Sequence, residues 1–141
     1  MKIVLDTNVL VAGLLSPFGP CAQIVRMASS GELTLYFDSR ILSEYDDVLR
    51  RPKFRFQPEK VAALLDHIEH CGHLVATSPV PNLLPDPGDQ PFLEVAVSGQ
   101  AVCLVTGNQA HFPANKCQGI TILSPSEFLT FYRRRQKPTA Q

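Results

Sequence analysis

The chain has 141 residues, 45% of them hydrophobic and 18% charged, which suits one ordinary globular domain with a true core. Thirteen Lys plus Arg balance thirteen Asp plus Glu, so net charge steers no polyanion and nucleic acid must be met by a local patch. No apolar run is long enough for a membrane span or a signal peptide, and Cys21, Cys71, Cys103 and Cys117 have neither zinc-type spacing nor a disulfide framework, so a cytoplasmic protein with reduced, mostly buried thiols is expected.

In chain order, Lys2 to Leu5 is a short apolar run that meets Asp6-Thr7-Asn8, the pattern of a buried strand followed by a helix start. Val9 to Leu15 forms the first helix, stopped by Ser16-Pro17. A second runs from Pro20 to Ser30, with Gly31 as its C-terminal stop. Leu33 to Phe37 reads as a strand, and Asp38-Ser39 caps a third helix to Leu49. Arg50 to Phe56 is a basic and aromatic loop. Pro58 to Cys71 is a helix with Val61, Leu64, Leu65 and Ile68 at helical spacing. His73 to Ala76 is a short strand, and the prolines between Ser78 and Gly88 keep that segment out of any sheet interior. Asp89 and Pro91 open a helix to Ser98. Ala101 to Val105 and Ile120 to Leu123 are strands, and Pro125 to Arg134 is the last helix. Leu14, Phe18, Ile24 and Met27 read as core.

Strands alternating with helices predict a mainly parallel sheet covered on both faces, an α/β domain over residues 1–135 with a frayed tail at 136–141. In such sheets ligands bind beyond the carboxyl ends of the strands. Asp6 follows the first strand, Glu44 lies one turn into the helix after the second, and Asp89, with Asp86 three residues earlier, opens the helix before the fourth. Each has a plain alternative: Asp6 and Asp89 are good helix caps, and Glu44 could be a solvated helix residue.

Four segments carry a resemblance. Ile3-Val4-Leu5-Asp6-Thr7-Asn8-Val9-Leu10 is similar to the opening of PIN-domain nucleases, and Ser39 to Tyr45 with Val48-Leu49 and Arg51-Pro52-Lys53 is similar to their second motif. Asp86 to Ala96 resembles the third, and Leu104 to Asn108 with His111-Phe112-Pro113 the fourth. Their order and spacing span nearly the whole chain and most resemble PIN-family toxin components of bacterial toxin–antitoxin systems.

The resemblance implies a three-layer α/β/α fold and a metal-dependent endoribonuclease, with Asp6, Glu44 and Asp89 as catalytic residues holding Mg²⁺ or Mn²⁺. Thr7 and Asn8 are then groups that support the ligands or contact substrate, and these two and Asp86 are also candidates for further ligands. It also implies an RNA substrate, an antitoxin partner and a homodimer. Hard oxygen ligands agree with those ions. Two carboxylates about 4 Å apart repel by roughly 4 kcal/mol at an effective dielectric near 20, so converging acids call for a cation or a proton.

One position departs from the pattern. The family's further Asp in the fourth motif is absent here, and Asn108 and His111 stand as candidates for its place. That departure supports a second reading, a weak or inactive PIN scaffold that binds RNA or protein. Arg50, Arg51, Lys53 and Arg55 interleave with Phe54 and Phe56 as an RNA-contacting patch would; a solvated loop whose aromatics cap the core fits equally. A dehalogenase-type phosphatase would need an acid at Asn8, and a receiver domain a second acid beside Asp6.

Overall fold

The computed structural model describes residues 1–136. Five short strands, β1 (Lys2–Leu5), β2 (Thr34–Phe37), β3 (His73–Leu74), β4 (Cys103–Val105) and β5 (Ile122–Leu123), form an all-parallel sheet in the order β3-β2-β1-β4-β5. Six helices flank it: α1 (Thr7–Leu15), α2 (Pro20–Ser30), α3 (Ser39–Leu49), α4 (Pro58–Cys71), α5 (Gln90–Gly99) and α6 (Pro125–Gln136). The chain steps from β1 through β2 to β3 toward one edge, then crosses back to β4 and β5. Right-handed crossovers therefore place α1 to α4 on one face and α5 on the other, where it lies on β1, β2 and β4. This is the three-layer α/β/α architecture, and the strand order reverses between β1 and β4.

The central strands are apolar on both faces because both are covered: Ile3, Val4, Leu5, Cys103, Leu104 and Val105 are each fully buried. Local signals set several boundaries. Gly31 ends α2 with φ +88, a left-handed conformation that suits glycine. Asp38 caps α3 by accepting from the Ile41 amide at 3.1 Å. Gly13 lets α1 and α2 pack closely, since a Cβ there would stand 2.5 Å from Val25 Cγ2 and 2.6 Å from the Cys21 carbonyl.

Other boundaries moved. The strand expected over His73–Ala76 shortens to its first two residues, and the expected 101–105 and 120–123 strands begin two residues later. Ile24 and Met27 are buried, but Leu14 and Phe18 are exposed, Phe18 by 83%. Phe18 lies in the bend between α1 and α2, outside either helix, and Leu14 borders an open cavity with Phe56 and Val61 that leaves it 37% exposed. Gln136, expected to begin the tail, is the last residue of α6, and the rest of that tail, 137–141, lies outside the described residues. All four cysteines are free; Cys103 and Cys117 are buried, whereas Cys71 is exposed and Cys21 half-buried. Among the described residues no single helix is long and apolar enough to cross a membrane, and α1 and α2 meet at 102°.

Candidate functional site

The reversal point of the sheet positions the first acid. Leu5 pairs with Val105, so the next residues, Asp6 and Thr106, are neighbours at the carboxyl edge. Thr106, fully buried, donates from Oγ1 to Asp6 Oδ2 at 2.8 Å, and Asn8 Nδ2 donates to the same oxygen at 3.3 Å. Asn8 Oδ1 in turn accepts from the Gly107 amide at 3.1 Å. The first and fourth segments are thus latched together around one carboxylate.

Glu44 arrives from α3. The Thr7 hydroxyl donates to its Oε2, and the adjacent Tyr45, fully buried, donates to the Leu5 carbonyl at 2.6 Å. That buried bond fixes the rotation of α3 over the end of β1 and turns Glu44 toward Asp6. Asp89 arrives from the start of α5. Its side chain is 13% exposed, and His111 Nδ1 stands 3.0 Å from its Oδ2. The two atoms are close but outside hydrogen-bond alignment, so this buried oxygen has a nearby imidazole and no directed donor.

Capping does not account for these acids. Asp6 and Asp89 both occupy N-cap positions, yet neither side chain makes a capping bond. Asp86 does the local work instead, accepting from the Gly88 amide at 2.8 Å in the short 3-10 turn Pro87–Asp89. Glu44 is half-buried, not solvated.

The three carboxyls also perturb one another. Burial raises Asp6, opposed by the Thr106 hydrogen bond and reinforced by Asp89. Burial likewise raises Glu44, against the Thr7 hydrogen bond and with a push from Asp6. Asp89 is raised by burial and then by Asp86, while His111 works the other way. Each acid therefore feels another's charge without lying in one tight knot. The closest set among the described residues is Asp86, Asp89 and His111, which bring one ligand atom each within 4.8 Å of one another. Sequence reasoning gave Asp86 and His111 a secondary place.

His111 lies in the 3-10 turn Gln109–His111, and its Nε2 is 3.0 Å from Asn108 Nδ2. Which ring nitrogen carries the proton depends on which end of the Asn108 amide faces Nε2. Asn108, in the place where an acid was sought, is exposed and supports the imidazole. Thr106 and Tyr45 were missed as positioning groups. The signal for Thr106 was present, since it follows its strand as Asp6 follows β1.

The basic loop is less free than its composition suggests. Arg50 pairs with Asp46, and Arg51 pairs with Asp47 at 3.5 Å, both one turn away along the chain. Lys53 lies 5.1 Å from the Phe54 ring centre, and Phe54 stacks on Phe56 with centroids 5.6 Å apart. The two rings are half-buried against each other, and Arg55 projects outward. A second ion-pair group is structural: Arg40 bridges Asp38 and the buried Glu94 at 2.8 Å each, tying α3 to α5.

An oxygen-rich set of raised carboxyls, with one buried oxygen lacking a directed donor, fits a hard divalent cation. The same shifts set a pH dependence. A carboxyl raised by folding contributes stability below its unfolded pKa of about 4 and loses it as pH rises through the raised value. The metal-free protein should therefore be penalised at neutral pH, and a cation should relieve the penalty. Thermal melts with saturating Mn²⁺ are expected to show a clear rise at pH 7.5, about 2.7 kcal/mol at one hundred times the dissociation constant. The rise should shrink toward pH 4.5. An equal rise at both pH values would mean that the cation binds elsewhere.

A family model described as PIN domain matches residues 2–110. No curated protein matches the chain. Among solved structures, a chain from the crystal structure of VapBC2 from Rickettsia felis, bound to a DNA fragment from their promoter, is similar at TM-score 0.55 and 14% identity. The match covers 88% of the present chain and 98% of the other. At that identity the likeness is one of fold.

Proposed function

This chain belongs to the PIN-domain family, and from that premise we propose that it is a Mg²⁺- or Mn²⁺-dependent endoribonuclease, the toxin component of a toxin–antitoxin system. The observation that carries the reading is the behaviour of Asp6 and Asp89. Both sit at helix N-termini, forgo the capping bond, and share an electrostatic neighbourhood with Glu44 at the carboxyl edge of the sheet. Asp6, Glu44 and Asp89 would hold the cation, with Asp86 and His111 at its rim. When bound, the ion would polarise a phosphodiester and lower the pKa of an attacking water. The chain's own contribution is orientation: Thr106 and Asn8 fix the Asp6 carboxylate, and Thr7 fixes Glu44.

The reading includes one domain over residues 1–135, a cytoplasmic setting, RNA as substrate, an antitoxin and a homodimer as partners. The fold likeness to a VapBC2 chain supports the toxin assignment. A specific observation favours a second reading, a weak or inactive scaffold that binds RNA or protein: the fourth acidic position holds Asn108, a neutral amide engaged with His111.

The test is incubation with structured and unstructured RNA in Mn²⁺, Mg²⁺ or EDTA. Cleavage should appear with either cation and stop with the chelator. Intact RNA throughout, with no heat on titrating Mn²⁺ in a calorimeter, would leave the scaffold reading.

A further inference from the structure

We infer that the groove between α2 and α6 is a track for single-stranded RNA, with phosphates held by Arg26 and Arg133 and a base stacked on Phe18. The inference rests on the endoribonuclease reading and concerns a surface outside the acidic site. Two cavities of about 320 and 450 Å³ lie along this groove, and Gln23, Arg26, Leu129 and Arg133 line both. Each is within the size range of small-ligand sites, roughly 300–1,000 Å³.

With no net charge, the protein can hold a polyanion only where cations lack acids. Arg40, Arg50 and Arg51 are all paired with carboxylates. Among the cations without an ion pair in the described residues, Lys53 and Arg135 lie over Phe54 and Phe131, and Arg55 and Lys60 line a separate cavity beside the half-buried Phe56. The α2/α6 groove pairs its two arginines with a fully presented ring. Arg26 and Arg133 are both exposed and form no ion pair among the described residues. Arg26 donates once, from Nη1 to the Pro17 carbonyl at 3.1 Å. That bond ties the guanidinium to the segment before α2, on the groove's own wall, and leaves its other N–H groups for a phosphate. Glu32 is the one acid in the lining, and it accepts from the Ser30 and Tyr132 hydroxyls at 3.1 and 3.2 Å.

Phe18 supplies the second half of a single-strand site. Its ring is 83% exposed, while its backbone is bracketed by the Ser16 hydroxyl at 3.2 and 3.3 Å. An aromatic face held open beside two arginines is the pairing that binds unpaired nucleotides through stacking and backbone charge. Continuity with the acidic site favours RNA over an acidic protein segment. The groove opens at Ser126, and the adjacent Glu127 accepts from Gln109 at 2.8 Å. Gln109 follows Asn108 at the rim of the acidic site. The Gln109–Glu127 contact thus joins the mouth of the groove to the rim of the acidic site.

The experiment is fluorescence anisotropy with a labelled single-stranded RNA of about 12 nucleotides, in EDTA so that nothing is cut. Arg26→Ala with Arg133→Ala should weaken binding about tenfold or more near 0.1 M salt. The double change should also reduce the slope of log affinity against log salt by about 1.4, or roughly 0.7 for each phosphate no longer neutralised. Arg133→Glu alone, at an exposed position in the last turn of α6, should weaken binding without threatening the fold. Phe18→Ala should weaken it about fivefold or more and leave the slope unchanged. Wild-type affinity and slope in all these variants, no RNA binding by the wild type, or equal competition by polyglutamate would overturn the proposal. Cation-dependent cleavage by a protein indifferent to the variants would remove the groove and keep the nuclease. Groove-dependent RNA binding without any cleavage would do the reverse.

Discussion

Asp6→Asn is expected to lower cation-dependent RNA cleavage by about a hundredfold or more, beyond the 10- to 100-fold typical of losing a group that only supports a metal ligand. The same substitution should raise the stability of the metal-free protein at pH 7, by about 1 kcal/mol, as relief of strained functional sites commonly does. The opposite signs follow from the geometry. Asp6 is 6% exposed, raised by burial and by Asp89, and its charge is a liability to the fold without a cation. Asparagine keeps an oxygen that can accept from Thr106 and Asn8, so the latch between β1 and β4 survives. Cleavage assays and thermal melts on one preparation decide the matter. A variant that loses activity and stability together would make Asp6 a structural residue, and undiminished cleavage would place the chemistry elsewhere.

Asn108→Asp is expected to tighten Mn²⁺ binding by about 1–3 kcal/mol, or roughly five- to 150-fold, measured by titration calorimetry. Two effects add. A carboxylate brings a negative charge to the rim of a site where the fourth acid is missing. It also changes what the neighbouring imidazole can do. The Asn108 amide can present either its NH₂ or its oxygen to His111 Nε2, so both ring tautomers are tolerated. An ionised carboxylate at this position only accepts. It would keep a proton on Nε2 and leave the Nδ1 lone pair facing Asp89 and Asp86, available to a cation. His111→Ala should then weaken Mn²⁺ more than Mg²⁺, because imidazole suits the softer ion. Unchanged affinity in Asn108→Asp and in His111→Asp would put the fourth segment outside the site and remove the main support for an inactive scaffold.

Much of this molecule is legible in its sequence. The bounds of β1, α2, α3 and α4 follow from local chemistry: apolar runs, Pro20 and Pro58 at helix starts, Gly31 past a helix end, and the Asp38 cap. These signals act within a few residues, so the sequence carries them directly. The placing of acids after strands is legible for the same reason, and with it the edge of the sheet where a site belongs. Tertiary structure decided what those acids do. Whether Asp6 and Asp89 cap their helices or turn to other partners depends on Thr106 and His111, which lie far along the chain and are brought close by parallel register. It also decided that Arg50 and Arg51 spend their charge on Asp46 and Asp47, that Phe18 stays uncovered, and that Arg26 meets Arg133 in one groove. Helix and strand periods are written residue by residue, but which side chain finds a partner is set by packing between elements, and composition alone does not encode those distances.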